Sequence, residues 1–177
     1  MIKSILLSGL AAALLATPAL CADIKYPDTS ITPGKARSDV TVEQLCATDW
    51  SRRAERPVSA AMQRDILTEY HLSSVTDPLC RADGSKKCRI DHLIARKLGG
   101  ADVETNLWPQ PLAVSWGASA KDKLEDCMHA RVCAKLASNG ADAANRLLRL
   151  YQHDLKVDWI AAYRNVLGDE TATCRAS

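Results

Sequence analysis

One stretch constrains this chain more than any other: residues 88–110, CRIDHLIARKLGGADVETNLWPQ. It holds an adjacent acid and imidazole, Asp91-His92, then a double glycine, Gly99-Gly100, then Asn106 and the apolar run Leu107-Trp108-Pro109. Asp offers a hard oxygen ligand, and His a base whose unperturbed pKa is about 6.5. Neighbouring side chains on a strand point to opposite sides of the pleat. A site that uses both therefore needs a backbone turn just there. The glycine pair supplies backbone freedom for the turn. The Asn106 amide, which both donates and accepts, is suited to hold such a loop in place. The spacing reads as a short strand over Cys88–His92, a broad loop over Leu93–Thr105, and a second strand over Asn106–Trp108 ended by Pro109. A helix then starts near Trp116 and carries Lys121, Leu124, Met128, Val132 and Leu136.

The rest of the chain fits one domain. Its 177 residues are enough for a real core, and no repeat or low-complexity tract divides them. Residues 1–22, MIKSILLSGLAAALLATPALCA, place Lys3 before an apolar run that ends in small residues. That pattern is a secretory leader, and Pro18 interrupts the run too early for a stable membrane span. Cys21 leaves a lipid anchor open, although Leu20 before it fits such a signal poorly. Without the leader six cysteines remain: Cys46, Cys80, Cys88, Cys127, Cys133 and Cys174. An even count in an exported chain, periplasmic or secreted, points to disulfides, and the spacings lack the close pairs of zinc sites. Cys80 and Cys88 flank a turn-rich segment and are the easiest pair to join. The other four stay open, but Cys127 and Cys133 share one helical pattern at a step that puts them on different faces, so each is expected to pair elsewhere.

Charge excludes one class of partner mechanism. The formal net charge is +2, and loss of Lys3 with the leader makes it about +1. Nucleic acid would have to be gripped by a local patch rather than by bulk positive charge. Arg52, Arg53 and Arg56 form one such cluster, readable as a solvated face or as phosphate contacts. A short helix or turn is expected over Val42–Cys46. An amphipathic helix is expected over residues 58–71, capped by Ser59, with His71 as a cation at its end. Gly140 is a break, followed by helices over Ala141–Tyr151 and Asp154–Leu167. Trp108 and Trp116 read as core residues, and His129 and His153 as packing or surface residues.

The ordered set DHLI, LGG and NLWPQ, with fourteen positions from His92 to Asn106, resembles the ββα-metal core of HNH endonucleases, and in particular a small secreted HNH family. Tyr26-Pro27, Lys121-Asp122 with Leu124-Glu125, Val132-Cys133, Asp158-Trp159 and Tyr163 extend the similarity over most of the mature chain. The resemblance implies an α+β fold, mostly helical, in a single domain at 23–177 built around a ββα core at about 87–135. It implies hydrolysis of phosphodiester bonds in DNA, with RNA also open, and with little sequence preference. By carry-over His92 is the general base, Asn106 fixes its loop, and Asp91 binds a divalent cation, Mg2+ or Mn2+. Arg96 and Lys97 would steady a phosphate. The chain departs from the family in two ways. Ala95 stands where it has Pro, which costs little. Gly117 and Ser119 stand where the helix would bring an Asn or His to the metal, so Ser119 is the one remaining candidate ligand there, and a weak one. Asp122 or Glu125 could take that place. The departure keeps a second expectation open: a catalytically degenerate, disulfide-stapled binding or structural module.

Overall fold

The computed structural model describes residues 25–47, 58–81, 87–112, 115–169, 171 and 173–174. The leader and the cluster Arg52, Arg53 and Arg56 lie outside these residues. The described chain is α+β, a small antiparallel sheet packed with a long C-terminal helical run. No helix among the described residues is long and apolar enough to cross a membrane.

Among the described residues two short helices come first. Helix α1, Val42–Leu45, is held by a capping box: Gln44 N donates to Thr41 Oγ1, and Thr41 N donates to Gln44 Oε1. Helix α2, Ala60–Glu69, begins where the Ser59 hydroxyl accepts from Met62 N. His71 follows it with a φ of 55°, a left-handed residue just past the helix end.

The sheet is a single ladder. Strand β1, Cys88–His92, pairs antiparallel with β2, Leu107–Pro111, in the register Asp91 opposite Trp108 and His92 opposite Leu107. β2 extends past the expected stop at Pro109, which sits opposite Ile90. Both strands of a two-stranded ladder are edges, so a proline can turn its missing N–H outward and remain in the strand.

Between the strands the loop is built by two glycines and one amide. Gly99 ends a short 3-10 turn, Arg96–Leu98, with a φ of 78° that favours glycine. Gly100 is required for a different reason. A Cβ there would lie 1.7 Å from the Ile94 carbonyl oxygen. The N-terminal arm runs along this loop. Arg37 N donates to Gly99 O, Ala101 N to Lys35 O and Gly34 N to Thr105 O.

The helical run Ala118–Val166 is broken twice, at Gly140 (φ 79°, ψ 177°) and at Asp158 (φ −162°, ψ 94°). It forms three helices, α3 (118–139), α4 (141–157) and α5 (159–166). The break at Gly140 is where the glycine placed it. The second break was expected between Tyr151 and Asp154, but α4 runs through that segment, which contains no helix breaker. It ends at Asp158, whose carboxylate accepts from Ala161 N at 2.8 Å and caps α5. The chain folds back at these breaks. Arg131 of α3 donates to the carbonyl of Val166, and Trp116 meets Trp159 and Tyr163 edge-on at centroid distances of 6.3 and 5.3 Å.

The core is buried between these helices and the loop. Leu124, Met128, Val132, Trp159 and Tyr163 pack with Val42, Leu45, Ile94 and Leu98. Trp108 is fully buried and Trp116 partly buried against the core. Three disulfides close the fold: Cys46–Cys133, Cys80–Cys88 and Cys127–Cys174. Cys127 and Cys133 thus pair elsewhere, as their helical spacing requires. Three bridges in a chain of this size fit an oxidising, exported environment.

Candidate active site

Strand β1 ends at the candidate site, and the loop after it is anchored by Asn106. This side chain is fully buried and all four of its hydrogen-bonding positions are used. Its Oδ1 accepts from Ile94 N at 3.0 Å and Lys35 N at 3.2 Å, and its Nδ2 donates to the carbonyls of Ile94 and Ala101, each at 3.0 Å. Asn106 touches none of the charged groups below. It holds the two loop ends and the N-terminal arm in one place.

The anchored loop carries Asp102 back over His92. His92 Nε2 lies 2.7 Å from Asp102 Oδ1. Arg96 Nε lies 2.7 Å from the same oxygen and 3.3 Å from His92 Nε2. The Arg96 Nε–H is a single donor, and a carboxylate is a stronger acceptor than an imidazole. The consistent assignment has both Nε2–H and Nε–H donating to Asp102, which leaves the lone pair of His92 on Nδ1. Among the described residues Nδ1 has no hydrogen-bond partner. Burial holds the imidazole below its ordinary pKa despite Asp102 beside it, and Arg96 adds to the lowering. His92 is therefore neutral at pH 7. Asp102 is the residue that sequence reasoning missed. Its place in the site comes from loop closure, and the signal available was its position just after the double glycine.

The carboxylate of Asp91 points into a different environment. Its Oδ1 accepts from His92 N at 2.9 Å. Its Oδ2 accepts from Arg89 Nη2 at 2.9 Å and lies 4.0 Å from the Nζ of Lys121, a fully buried side chain on the first turn of α3. Lys121 Nζ also donates to the carbonyl oxygen of His92, at 2.5 Å, and to Glu125, four residues further along α3. Burial alone would raise the Asp91 carboxyl, but Lys121 and Arg89 outweigh it and hold the group below the usual carboxylate range. Burial pushes Glu125 up to about 7, and Asp91 adds to the rise, while Lys121 pulls against it. Burial opposes the Lys121 charge, yet Glu125 and Asp91 together hold its pKa above the ordinary value. Arg89 bridges outward to Asp122.

These contacts do not suit the expected divalent ion. Of the expected metal-binding carboxylates, Asp91 has Arg89 and Lys121 beside it, Asp122 is held by Arg89 and Glu125 by Lys121. Ser119, the helix candidate, is exposed and its Oγ donates to the Leu112 carbonyl at 3.4 Å. Gly117 brings no side chain. Mg2+ binds through carboxylates together with several waters and substrate oxygens. A doubly charged ion at Asp91 would stand against both an ammonium and a guanidinium. The expected phosphate groups divide: Arg96 lies beside His92, whereas Lys97 is paired with Asp126.

Another set of donors has metal-binding chemistry. Cys46, His129 and Cys133 bring ligand atoms within 4.8 Å of one another. His129 Nε2 also lies 3.0 Å from the Leu45 carbonyl, so this histidine packs α3 against α1. With Cys46 and Cys133 joined, neither sulfur is a thiolate, and the trio cannot hold a metal while the bond is closed. A surface hollow lined by Arg131, Lys135, Ser138, Asn139, Leu147 and Tyr151 flanks the α3–α4 turn and contains no acid–base pair. No family model, curated protein or solved structure matches the chain.

Proposed function

We propose that the protein hydrolyses phosphodiester bonds of nucleic acid, as an endonuclease of HNH type with little sequence preference. The observation that carries this reading is a neutral His92 whose Nε2–H is engaged by Asp102 and whose Nδ1 has no partner among the described residues, with Arg96 at 3.3 Å. The sequence likeness to the secreted HNH family supports it independently of the geometry.

The chemistry follows from these groups. His92 Nδ1 accepts a proton from a water molecule as that water attacks phosphorus. The bond from the water oxygen to phosphorus forms, the bond from phosphorus to the ester oxygen breaks, and solvent protonates the leaving oxygen. Asp102 fixes the tautomer and stabilises the imidazolium that forms. Arg96, whose guanidinium stands beside His92, adds positive charge where charge grows on the phosphoryl oxygens. Substrate would be DNA, with RNA to be tested beside it, and little sequence preference is expected because the sequence carries no helix-turn-helix or zinc-finger pattern of the kind that reads base edges.

The test is incubation of the purified, oxidised protein with supercoiled plasmid and with single-stranded RNA. Nicking by the wild type should fall about a hundred- to ten-thousandfold in His92→Ala, the usual contribution of a positioned base. Intact substrate from a folded sample would favour the second reading, a binding or structural module. The observation in favour of that reading is the helix start, where Gly117 and Ser119 bring nothing to Asp91.

A further inference from the structure

We infer that the cation at Asp91 is supplied by the chain itself: the Lys121 ammonium fills an oxygen cradle that a divalent ion would otherwise take, and hydrolysis at His92 proceeds without added metal. This deepens the phosphodiester reading and rests on it for its catalytic half.

The cradle is built from two elements. The end of β1 gives the His92 carbonyl oxygen, 2.5 Å from Nζ, and Asp91 Oδ2, at 4.0 Å. Helix α3 gives the Glu125 carboxylate, one turn beyond Lys121 on the same face. Two carboxylates and a carbonyl are hard oxygen donors of the kind that hold magnesium, manganese or calcium. Here they surround a nitrogen, and the Lys121 side chain is wholly shut off from solvent. A buried ammonium is costly to desolvate and persists only when oxygens satisfy it. The His92 carbonyl and Glu125 accept hydrogen bonds from Nζ, and the Asp91 carboxylate adds its charge at 4.0 Å.

The helix start explains why the lysine is there. Residues 117 and 121 share a face of α3, and long side chains on a helix lean back toward its N-terminus. Gly117 leaves the first position of that face empty. Lys121, the next residue on that face, carries its charge toward Asp91, with Nζ 4.0 Å from Oδ2. A metal and an ammonium cannot share the same three oxygens, and Arg89 on Asp91 Oδ2 adds a second charge against the metal. His92 itself uses none of these oxygens through its ring. Its proton acceptor is oriented by Asp102, on the other side of the strand end.

Two measurements test this separately. The first needs no activity: Mn2+ is titrated into the wild type and followed by the resonance signal of the free ion. The signal should track total metal, with no site near Asp91. One equivalent bound by the wild type and lost in Asp91→Asn overturns the inference. Folded Lys121→Met should gain one Mn2+ site that Glu125→Gln removes, and a folded Lys121→Met that binds no ion equally overturns it. The wild-type titration stands whether or not the variant folds. The second measurement is plasmid nicking with a chelator or with magnesium. Equal rates are expected. Nicking that the chelator abolishes and magnesium restores overturns the inference while leaving the nuclease reading intact. Plasmid left uncut in every condition, with His92→Ala no different from wild type, overturns the nuclease reading and with it the catalytic half, and the Mn2+ titration then decides the cradle alone.

Discussion

Asp91 and His92 are neighbours in the chain, yet they belong to two charge clusters with opposite character. Asp91 faces inward to Lys121 and Glu125, whose side chains are buried, and to Arg89, which is about one-third exposed, and each of these charges has a partner. His92 turns to Asp102 and Arg96, whose side chains remain 45 % and 20 % exposed. The pleat separates the two clusters, since consecutive side chains leave a strand on opposite sides. The difference is one of job. A buried ion cluster is stiff and intolerant of an unpaired charge, so it fixes the strand end to the helix. A half-open cluster with one uncommitted lone pair can exchange protons with a substrate.

The largest expected effect lies in the inward cluster. Lys121→Ala leaves Asp91 and Glu125 without their shared cation and should destabilise the fold by about 3–5 kcal/mol in denaturant unfolding, the range for breaking a buried pair. Lys121→Met combined with Glu125→Leu should recover much of that loss, because an apolar pair of similar volume removes the unpaired charge. A small effect of Lys121→Ala would erase the contrast between the clusters.

Asn106 belongs to neither cluster and supports both. Asn106→Ala strands the backbone groups of Ile94, Lys35 and Ala101, and should cost on the order of 3 kcal/mol, given about 1–3 kcal/mol for each buried group left unsatisfied and partial relaxation. Nicking should fall with it, since the loop that carries Asp102 loses its anchor.

The outward cluster should show the reverse pattern. Asp102→Asn removes a charge-assisted hydrogen bond from Nε2 and should slow nicking roughly ten- to a hundredfold, equivalent to about 1.5–3 kcal/mol, while unfolding free energy changes little at so exposed a site. Asp102→Asn should also shift the ascending limb of the pH–rate profile to lower pH, because Asp102 is the partner that holds the His92 proton on. A structural role for Asp102 alone would lower the rate without moving that limb.

The smallest effect is one of sign. Glu125 has a folded pKa of about 7, above its ordinary 4.5, so the folded state binds the extra proton between those values. Its contribution to stability is fully present below pH 4.5 and is lost as pH rises through about 7. His92 is shifted the other way. With its folded pKa below 6.5, the unfolded chain binds more protons in the window beneath that value, and stability falls as pH drops through it. The charged groups facing His92 are Asp102, Arg96 and Asp91. Unfolding measured from pH 4 to 8 should lose the first slope in Glu125→Gln and the second in His92→Gln. Equal slopes in all three proteins would show that the clusters do not differ as described.

Much of the architecture was legible in short-range pattern. The bounds of β1, the Ser59 cap of α2, the break at Gly140 and the Cys80–Cys88 bridge all follow from residues close together in sequence, where spacing and turn chemistry act directly. The end of α4 was not legible, because Asp158 looks like any acidic helix residue until its carboxylate is seen capping Ala161. The pairings Cys46–Cys133 and Cys127–Cys174 span 87 and 47 positions, a range over which local pattern says nothing.

The residues 88–110 by themselves determined where a strand, a glycine turn and an anchoring amide would fall, and which acid and imidazole would stand at the strand end. Those are consequences of backbone geometry within two dozen positions. Only the tertiary structure decided what each group meets. Lys121 and Glu125 reach Asp91 because α3 packs beneath the strand end. Asp102 reaches His92 because Asn106 closes the loop. Local sequence sets direction along the chain, whereas charge partners are chosen by packing between elements that the chain brings together only once it is folded.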